Sequence, residues 1–362
     1  MILPKKAGKS MNVDLFFNYL VIGLTVGAQY AIVAIGFNII YNTTGIINFA
    51  QGDFLILGAM VAISMSSILP IGIAIGVGVL VAAVYGAVVE NVFIRRNRSF
   101  SPFRSVCIGI IAALLLKTLG IFSFLPEGID FAAAFLFGLP VGFGLETVFR
   151  KYMKEQTVLS LIVLTIAVSI LTREIMSHLW DKDAHVLPYF IGDSNTILSL
   201  GSISFSPQRI WVLGICALLV IGLYVFFKYT RYGKAMRACS LDHTAAKLCG
   251  INVRLMITIS FIVSAAIAAL AGSVISPLSQ TKYDMGSVLA IKGFSVAILG
   301  GLGNSFAAVA GGLILGILEA FSVSIFPNAY KDVVAILLLL LILVFKPSGV
   351  FGSRQASQLK EF

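Results

Sequence analysis

Long apolar runs, separated by short polar gaps, repeat along almost the whole chain. A helix needs about 20 apolar residues to cross the hydrocarbon of a bilayer. By that measure the candidate spans are 15–41, 45–67, 70–93, 105–125, 129–149, 157–179, 209–229, 254–276, 287–303, 305–326 and 330–346. Some are short or glycine-broken, so the pattern predicts an all-α polytopic membrane protein with about 9–11 transmembrane or re-entrant helices. Lys5, Lys6 and Lys9 precede the first run in the manner of a signal peptide. That run is too long for a signal peptide's apolar core and more spans follow it, so it reads as the first membrane helix.

Composition strengthens this picture. Hydrophobic residues make up 59% of the 362 positions and charged residues 12%, and the mean hydropathy is +1.00. About a quarter of an ordinary soluble chain is charged, and a water-exposed surface of this size cannot be covered with half that. The net charge of +10 is concentrated in gaps: Arg95, Arg96, Arg98 and Arg104; Arg150, Lys151 and Lys154; and Lys228, Arg231, Lys234, Arg237, Lys247 and Arg254. Lys/Arg-rich gaps between apolar spans lie on the cytoplasmic side, which also places Lys346, Arg354 and Lys360 inside. The opposite side takes 180–208, 277–286 and 327–329, which hold only Lys182 and Lys282. An odd number of crossings would put the N-terminus outside, against its three lysines. No basic patch is interleaved with aromatics on a soluble element, which argues against nucleic acid as a partner.

Chemistry-bearing motifs are few. Cys107, Cys216, Cys239 and Cys249 form no close pair and read as small hydrophobes. His178, His185 and His243 lack ligand spacing, so neither a metal nor a cofactor is expected. The chain holds no G-x-x-x-x-G-K-[ST] phosphate loop, no H-E-x-x-H and no G-x-S-x-G, and an enzymatic role has no support.

Three stretches interrupt the apolar pattern. The first runs from Asn42 to Asp53 and carries Asn48, Gln51, Gly52 and Asp53. The second is Leu299-Gly300-Gly301-Leu302-Gly303-Asn304-Ser305, followed by Gly311, Gly312 and Gly316. Irregular backbone at membrane depth is tolerated only inside protein or beside a water-filled cavity. Glycine-interrupted spans in two halves of a chain point to a substrate path. Asn48, Gln51, Gly52, Asp53, Gly300, Gly301 and Gly303 are therefore the candidate pathway residues, whereas Gly311–Gly316 reads as close helix packing. Asp53, Lys117, Arg173, Glu174, Lys292 and Glu319 fall in or at the ends of spans, where charges face the interior or pair. Lys117 and Arg173 read as snorkelling or paired. Asp53, with no basic neighbour in sequence, stands out. The third stretch, 231–252, is long, basic and helix-forming, and reads as a short cytoplasmic helix that presents an alanine-rich face.

These motifs, in this order and spacing, resemble the permease subunits of branched-chain amino-acid ABC importers, the LivH/LivM type. The resemblance rests on Gly23-Leu24-Thr25-Val26-Gly27 with Tyr30-Ala31 and Gly36, on Gly45-Ile46-Ile47-Asn48-Phe49-Ala50-Gln51-Gly52-Asp53, and on Arg237-Ala238-Cys239 through Gly250-Ile251-Asn252. Leu299 to Gly303, Gly311 to Gly316 with Glu319-Ala320, Tyr330 to Val334 and Lys346 to Gly352 complete it. The resemblance implies an ABC importer permease bundle in the bacterial inner membrane. It also implies two cytoplasmic ATPases, a second permease subunit (identical or homologous), and a periplasmic or extracellular protein delivering leucine, isoleucine or valine. Asp242, Ala245, Ala246 and Gly250 would then belong to the loop that docks on an ATPase, and transport would proceed by alternating access.

The implied organisation is an N-terminal tail at 1–14, a transmembrane permease domain at 15–346 and a cytoplasmic tail at 347–362. A coupling loop at 231–253 lies within that domain. Two departures stand out. Gln51 occupies a position where the family usually has histidine, and 97–155 reads as an inserted helical hairpin. A stand-alone secondary transporter or channel, driven by ions through Asp53 or Glu319, is the competing reading. Within the importer reading, urea or short amides are alternative cargoes.

Overall fold

The computed structural model describes residues 13–94, 158–192, 196–200 and 203–325, with scattered positions within 140–144 and 327–345. The first helix, α1, spans Val13–Thr44. Its 32 residues are about 48 Å long, well beyond the hydrocarbon thickness of about 30 Å. α2 follows at Gln51–Ser66 and α3 at Ile71–Val89, which runs on into a π-helical turn at Glu90–Ile94. Next come α4 (Val158–Leu179), α5 (Pro207–Tyr229), α6 (Arg231–Leu241) and α7 (His243–Leu248). The series closes with α8 (Val253–Ile275), α9 (Met285–Gly300) and α10 (Ser305–Ile325).

Among the described residues, six helices are long and apolar enough to cross a membrane, and α2 and α9 are shorter. Two expected spans are corrected. Residues 45–50 of the 45–67 candidate are not helical, and the 287–303 candidate ends at Gly300, where the backbone turns. In both places a glycine at positive φ stops the helix. The candidates 105–125, 129–149 and 330–346, the tails, and the hairpin reading of 97–155 lie outside the described residues. The architecture is all-α as expected, with one small exception in the 180–208 loop. There Leu198–Leu200 and Ile203–Phe205 pair as a short antiparallel hairpin, Leu198 opposite Phe205 and Leu200 opposite Ile203.

α3 shows how the composition builds the bundle. Ala74, Gly78, Ala82 and Gly86 recur every four residues and are buried. Ile73, Leu80 and Val84 face outward. In lipid, large apolar side chains gain nothing from facing inward, and small residues allow close backbone approach. The inward face is therefore the small one.

The described chain falls into two units. One comprises 36–187 and 221–291. Its core is α2, α3 and α8, packed through glycines: a Cβ on Gly58 would sit 2.2 Å from the Cβ of Ala269. A Cβ on Gly78 would sit 2.4 Å from the Gly58 carbonyl oxygen, and one on Gly272 2.2 Å from that of Leu55.

The other unit comprises the chain up to 35, 188–220 and 292 onward. In it α1 crosses α10 at backbone contact. A Cβ on Gly27 would lie 2.7 Å from the Gly312 carbonyl oxygen, and one on Gly316 2.3 Å from the Gly27 nitrogen. Gly312 and Gly316 are thus packing glycines. Gly316→Leu is expected to force the two helices apart at a cost of about 3 kcal/mol, the upper range for overpacking. Gly72→Leu, with open space around it, is expected to be silent. Thermal unfolding of the two purified variants in detergent checks this, and equal midpoints would refute it.

Candidate functional site

The polar segment at 42–53 forms a buried break between α1 and α2. Gly45, at φ 69°, ends α1, and its N–H donates to the Tyr41 carbonyl at 2.8 Å. This left-handed cap suits glycine because a Cβ is disfavoured there. The exposed polypeptide of such a break would be intolerable in lipid, and neighbouring groups satisfy it here. The Phe49 N–H donates to the Thr165 hydroxyl of α4 at 3.2 Å. Asn48 Oδ1 accepts from the Ala50 N–H at 3.1 Å, while the Asn48 carbonyl accepts from the Gln51 N–H at 3.2 Å. Asn48 therefore shapes the start of α2 with both its carbonyls, and its Nδ2, also buried, has no hydrogen-bond partner among the described residues.

Gln51 and Asp53 have different surroundings. Gln51 is held by α8: the Ser264 hydroxyl lies 2.8 Å from Gln51 Oε1 and 2.9 Å from the Gly36 carbonyl, and Gln51 Nε2 approaches the Ser264 carbonyl at 3.4 Å. An amide with both ends committed ties helices together. Asp53, 1% exposed, sits in the first turn of α2, where a negative charge suits the helix dipole. Arg173 of α4 places Nε 3.8 Å from Asp53 Oδ1, and neither carboxylate oxygen has a hydrogen bond among the described residues. Arg173 is the partner that sequence neighbours did not reveal, and its 27% exposure leaves one side of the pair open. Gly52 has a spatial reason to be glycine: a Cβ there would lie 1.8 Å from the Gly286 carbonyl at the start of α9.

The second glycine stretch is a turn. Gly301 and Gly303 have φ of 97° and 96°, and Gly300 lies against Ala308, whose Cα and nitrogen would be 2.5 Å from an added Cβ. Asn304, exposed, caps α10 through the Ala307 N–H at 3.1 Å. These glycines serve the reversal between α9 and α10, and the turn offers no buried polar side chain comparable to Asn48 or Asp53.

Another buried polar cluster lies in the unit that contains α10. Lys292 Nζ is 2.9 Å from Glu319 Oε1 and 2.8 Å from the Tyr30 hydroxyl oxygen, and the Tyr30 hydroxyl donates to Glu319 Oε2 at 2.9 Å. All three side chains are buried. Lys292 and Glu319 are visible in the sequence as charges within spans. Their pairing, and the part of Tyr30, are not, because 262 positions separate Tyr30 from Lys292.

The basic stretch after α5 folds as two short helices. Thr230 caps α6 through the Gly233 N–H at 3.0 Å. Gly233 packs on the end of α5, where a Cβ would lie 2.2 Å from the Phe226 carbonyl. Asp242 caps α7, its Oδ1 accepting from the N–H groups of Thr244 (2.6 Å) and Ala245 (3.2 Å). Gly250, at φ 80°, closes α7 in a Schellman arrangement: its N–H donates to the Lys247 carbonyl and that of Ile251 to the Ala246 carbonyl, both at 3.0 Å. Asp242 and Gly250 thus define the geometry of the loop. Ala246 is only 4% exposed and faces the chain's own interior, whereas Leu241 and Leu248 are 84% and 85% exposed. Ala245 is exposed beside the buried Ala246. Two bare leucines on short polar helices outside the membrane-crossing segments stand out, because exposed large apolar side chains commonly mark contact surfaces.

Comparison with known proteins places the whole arrangement. Residues 19–343 match the family described as the permease component of the branched-chain amino acid transport system. The chain is 29% identical, over 351 residues, to the high-affinity branched-chain amino acid transport system permease protein BraD of Pseudomonas aeruginosa, covering 95% of this chain and 98% of that protein. It is 28% identical to the corresponding LivH protein of Escherichia coli strain K12 over 344 residues, 93% of this chain and 96% of the other. A probable branched-chain amino acid transport permease protein LivH of Methanocaldococcus jannaschii is 24% identical over 333 residues, 89% of this chain and 88% of the other. Family match, six membrane-length helices and the buried break agree: this chain is a multi-pass membrane protein and belongs to the family of branched-chain amino acid transport permease components.

Proposed function

We propose that this chain is the membrane-spanning subunit of an ATP-driven importer, carrying branched-chain or related small amino acids past the break at Asn48–Asp53. Partner ATPases dock on the loop at 231–253, a second permease subunit completes the bundle, and a binding protein on the far side delivers the cargo. Energy enters by alternating access: the ATPases bind the two conformations of the bundle with different affinity and so shift the population between them. ATP hydrolysis belongs to the partners.

The observation that carries this reading is the pair of buried polar side chains at the break, Asn48 and the Asp53 carboxylate that Arg173 faces at 3.8 Å. Asn48 Nδ2 is a buried donor and the Asp53 carboxylate a buried acceptor, both without hydrogen-bond partners among the described residues. Buried polar groups without partners are costly, and at a helix break in a permease a passing polar solute is the natural partner. An ammonium or amide fits the carboxylate, and a carboxylate or carbonyl fits the amide. Gln51, fully engaged by α8, contributes to the framework of the path and not to its lining. Gly300, Gly301 and Gly303 enter the proposal through the turn they form.

The test uses membrane vesicles containing the permease, its ATPases and its binding protein. Asp53→Leu is expected to lower ATP-dependent uptake by about 30-fold, as removal of a buried charged contact worth about 2 kcal/mol does. Asn48→Leu is expected to follow the same course, and Ile73→Ala, on an outward face, to transport normally. Mild and equal effects in all three would return the segment to a packing role. Uptake that persists without ATPases and follows an ion gradient would instead establish the stand-alone transporter. Binding of leucine, urea and short amides to the cognate delivery protein decides the cargo.

A further inference from the structure

The end of α1 is held from two sides. Thr43 is fully buried in its last turn, and the last four carbonyls of a helix have no partner within it. The Thr43 carbonyl finds its partner 200 residues away: His243 Nε2, at the first position of α7, lies 2.9 Å from it. A carbonyl oxygen only accepts, so His243 Nε2 carries the proton and donates. The Thr43 side chain reaches the other way, with Oγ1 2.7 Å from the Ser260 hydroxyl of α8. Ser264, one turn further along the same face of α8, is the residue that holds Gln51.

A continuous set of hydrogen bonds therefore runs from α7 through the end of α1 to α8, and from α8 to the start of α2 beside Asn48 and Asp53. α7 itself is held in shape by Asp242 and Gly250, so a push on its exposed face reaches His243 with little internal give.

We propose that His243 is the positioning residue that transmits movement of the α6–α7 loop to the polar break, acting through its hydrogen bond to the Thr43 carbonyl. This rests on the proposed docking of ATPases on that loop. Leu241 and Leu248 receive the partner, Asp242 and Gly250 keep α7 rigid, and His243 connects α7 to the element that ends at the path.

The test is carried out on the assembled importer in proteoliposomes, reading substrate moved per ATP hydrolysed together with co-purification of the ATPases. His243→Ala is expected to lower that ratio about fivefold to tenfold, the scale of one hydrogen bond, with ATPases still bound and still hydrolysing. His243→Gln places an amide N–H within similar reach and is expected to restore the ratio to within about twofold. An unchanged ratio in His243→Ala overturns the proposal, and so does a glutamine variant as poor as the alanine one. Loss of ATPase binding in His243→Ala also overturns it, because His243 would then be a docking contact. If the unaltered permease fails to retain ATPases, the docking reading itself fails and takes this inference with it.

Discussion

Glu319→Leu is expected to be the most damaging single substitution of a side chain in the described structure, lowering stability by about 3–5 kcal/mol. The variant removes the carboxylate that pairs with the buried Lys292 ammonium at 2.9 Å. An uncompensated charge in an apolar bundle is costly, and removing one partner of a buried pair costs far more than removing both. The double variant Lys292→Met, Glu319→Leu is therefore expected to recover most of the loss. Tyr30→Phe, which deletes both hydrogen bonds of the hydroxyl to the pair, is expected to cost about 2 kcal/mol. Thermal unfolding in detergent of Glu319→Leu, Lys292→Met and the double variant, read as a double-mutant cycle with Tyr30→Phe alongside, measures this directly. A double variant no more stable than Glu319→Leu would show that the charges hold no pair worth keeping. The location gives the cluster its structural sense: Tyr30 belongs to α1, Lys292 to α9 and Glu319 to α10, so one ion pair and one hydroxyl hold three helices of one unit at fixed spacing.

Under the proposed docking of ATPases on the 231–253 loop, Leu248→Asp is expected to weaken their binding by about 30-fold while leaving the permease folded. Leu248 is 85% exposed and makes no core, so its replacement disturbs nothing within the chain. Apolar anchors that bury fully at an interface commonly carry about 2 kcal/mol or more of its binding energy, and a carboxylate placed in such a pocket adds a desolvation penalty. Ala246→Leu is expected to behave in the opposite manner, lowering stability because Ala246 is buried against the chain's own interior. Co-purification of ATPases with each variant, alongside its thermal unfolding, separates the two effects. Retention of the ATPases by Leu248→Asp at unaltered affinity would place the docking surface elsewhere.

The site was partly legible before folding was considered. Asn48, Gln51 and Asp53 announced themselves because amides and carboxylates are rare in apolar runs. What they do differs with the neighbour each one meets. Gln51 meets Ser264 of α8 and is used up in an interhelical contact; Asp53 meets Arg173 of α4 at 3.8 Å in a buried ion pair. Nothing in the local sequence separates these outcomes. The glycines at 300–303 carried the same signature as the first break, yet Gly301 and Gly303 at positive φ, followed by the exposed Asn304, form a turn.

The solvent, the class of element and the family could all be read along the chain. Each follows from information that is local or ordered along the chain: apolar run length against bilayer thickness, charge placement in the gaps, and motif order. The tertiary structure alone decided which partners each polar group found. It joined Lys292 to Glu319 and Tyr30, Arg173 to Asp53, and His243 to the Thr43 carbonyl, and it turned Ala246 inward while leaving Leu248 bare. The physical reason is that in a bilayer every span obeys the same hydrophobic rule, so that rule does not say which helices meet. The choice is made by small-residue faces fitting against one another at backbone distance, as Gly27 and Gly316 do, and by the few polar groups that must find each other across hundreds of residues.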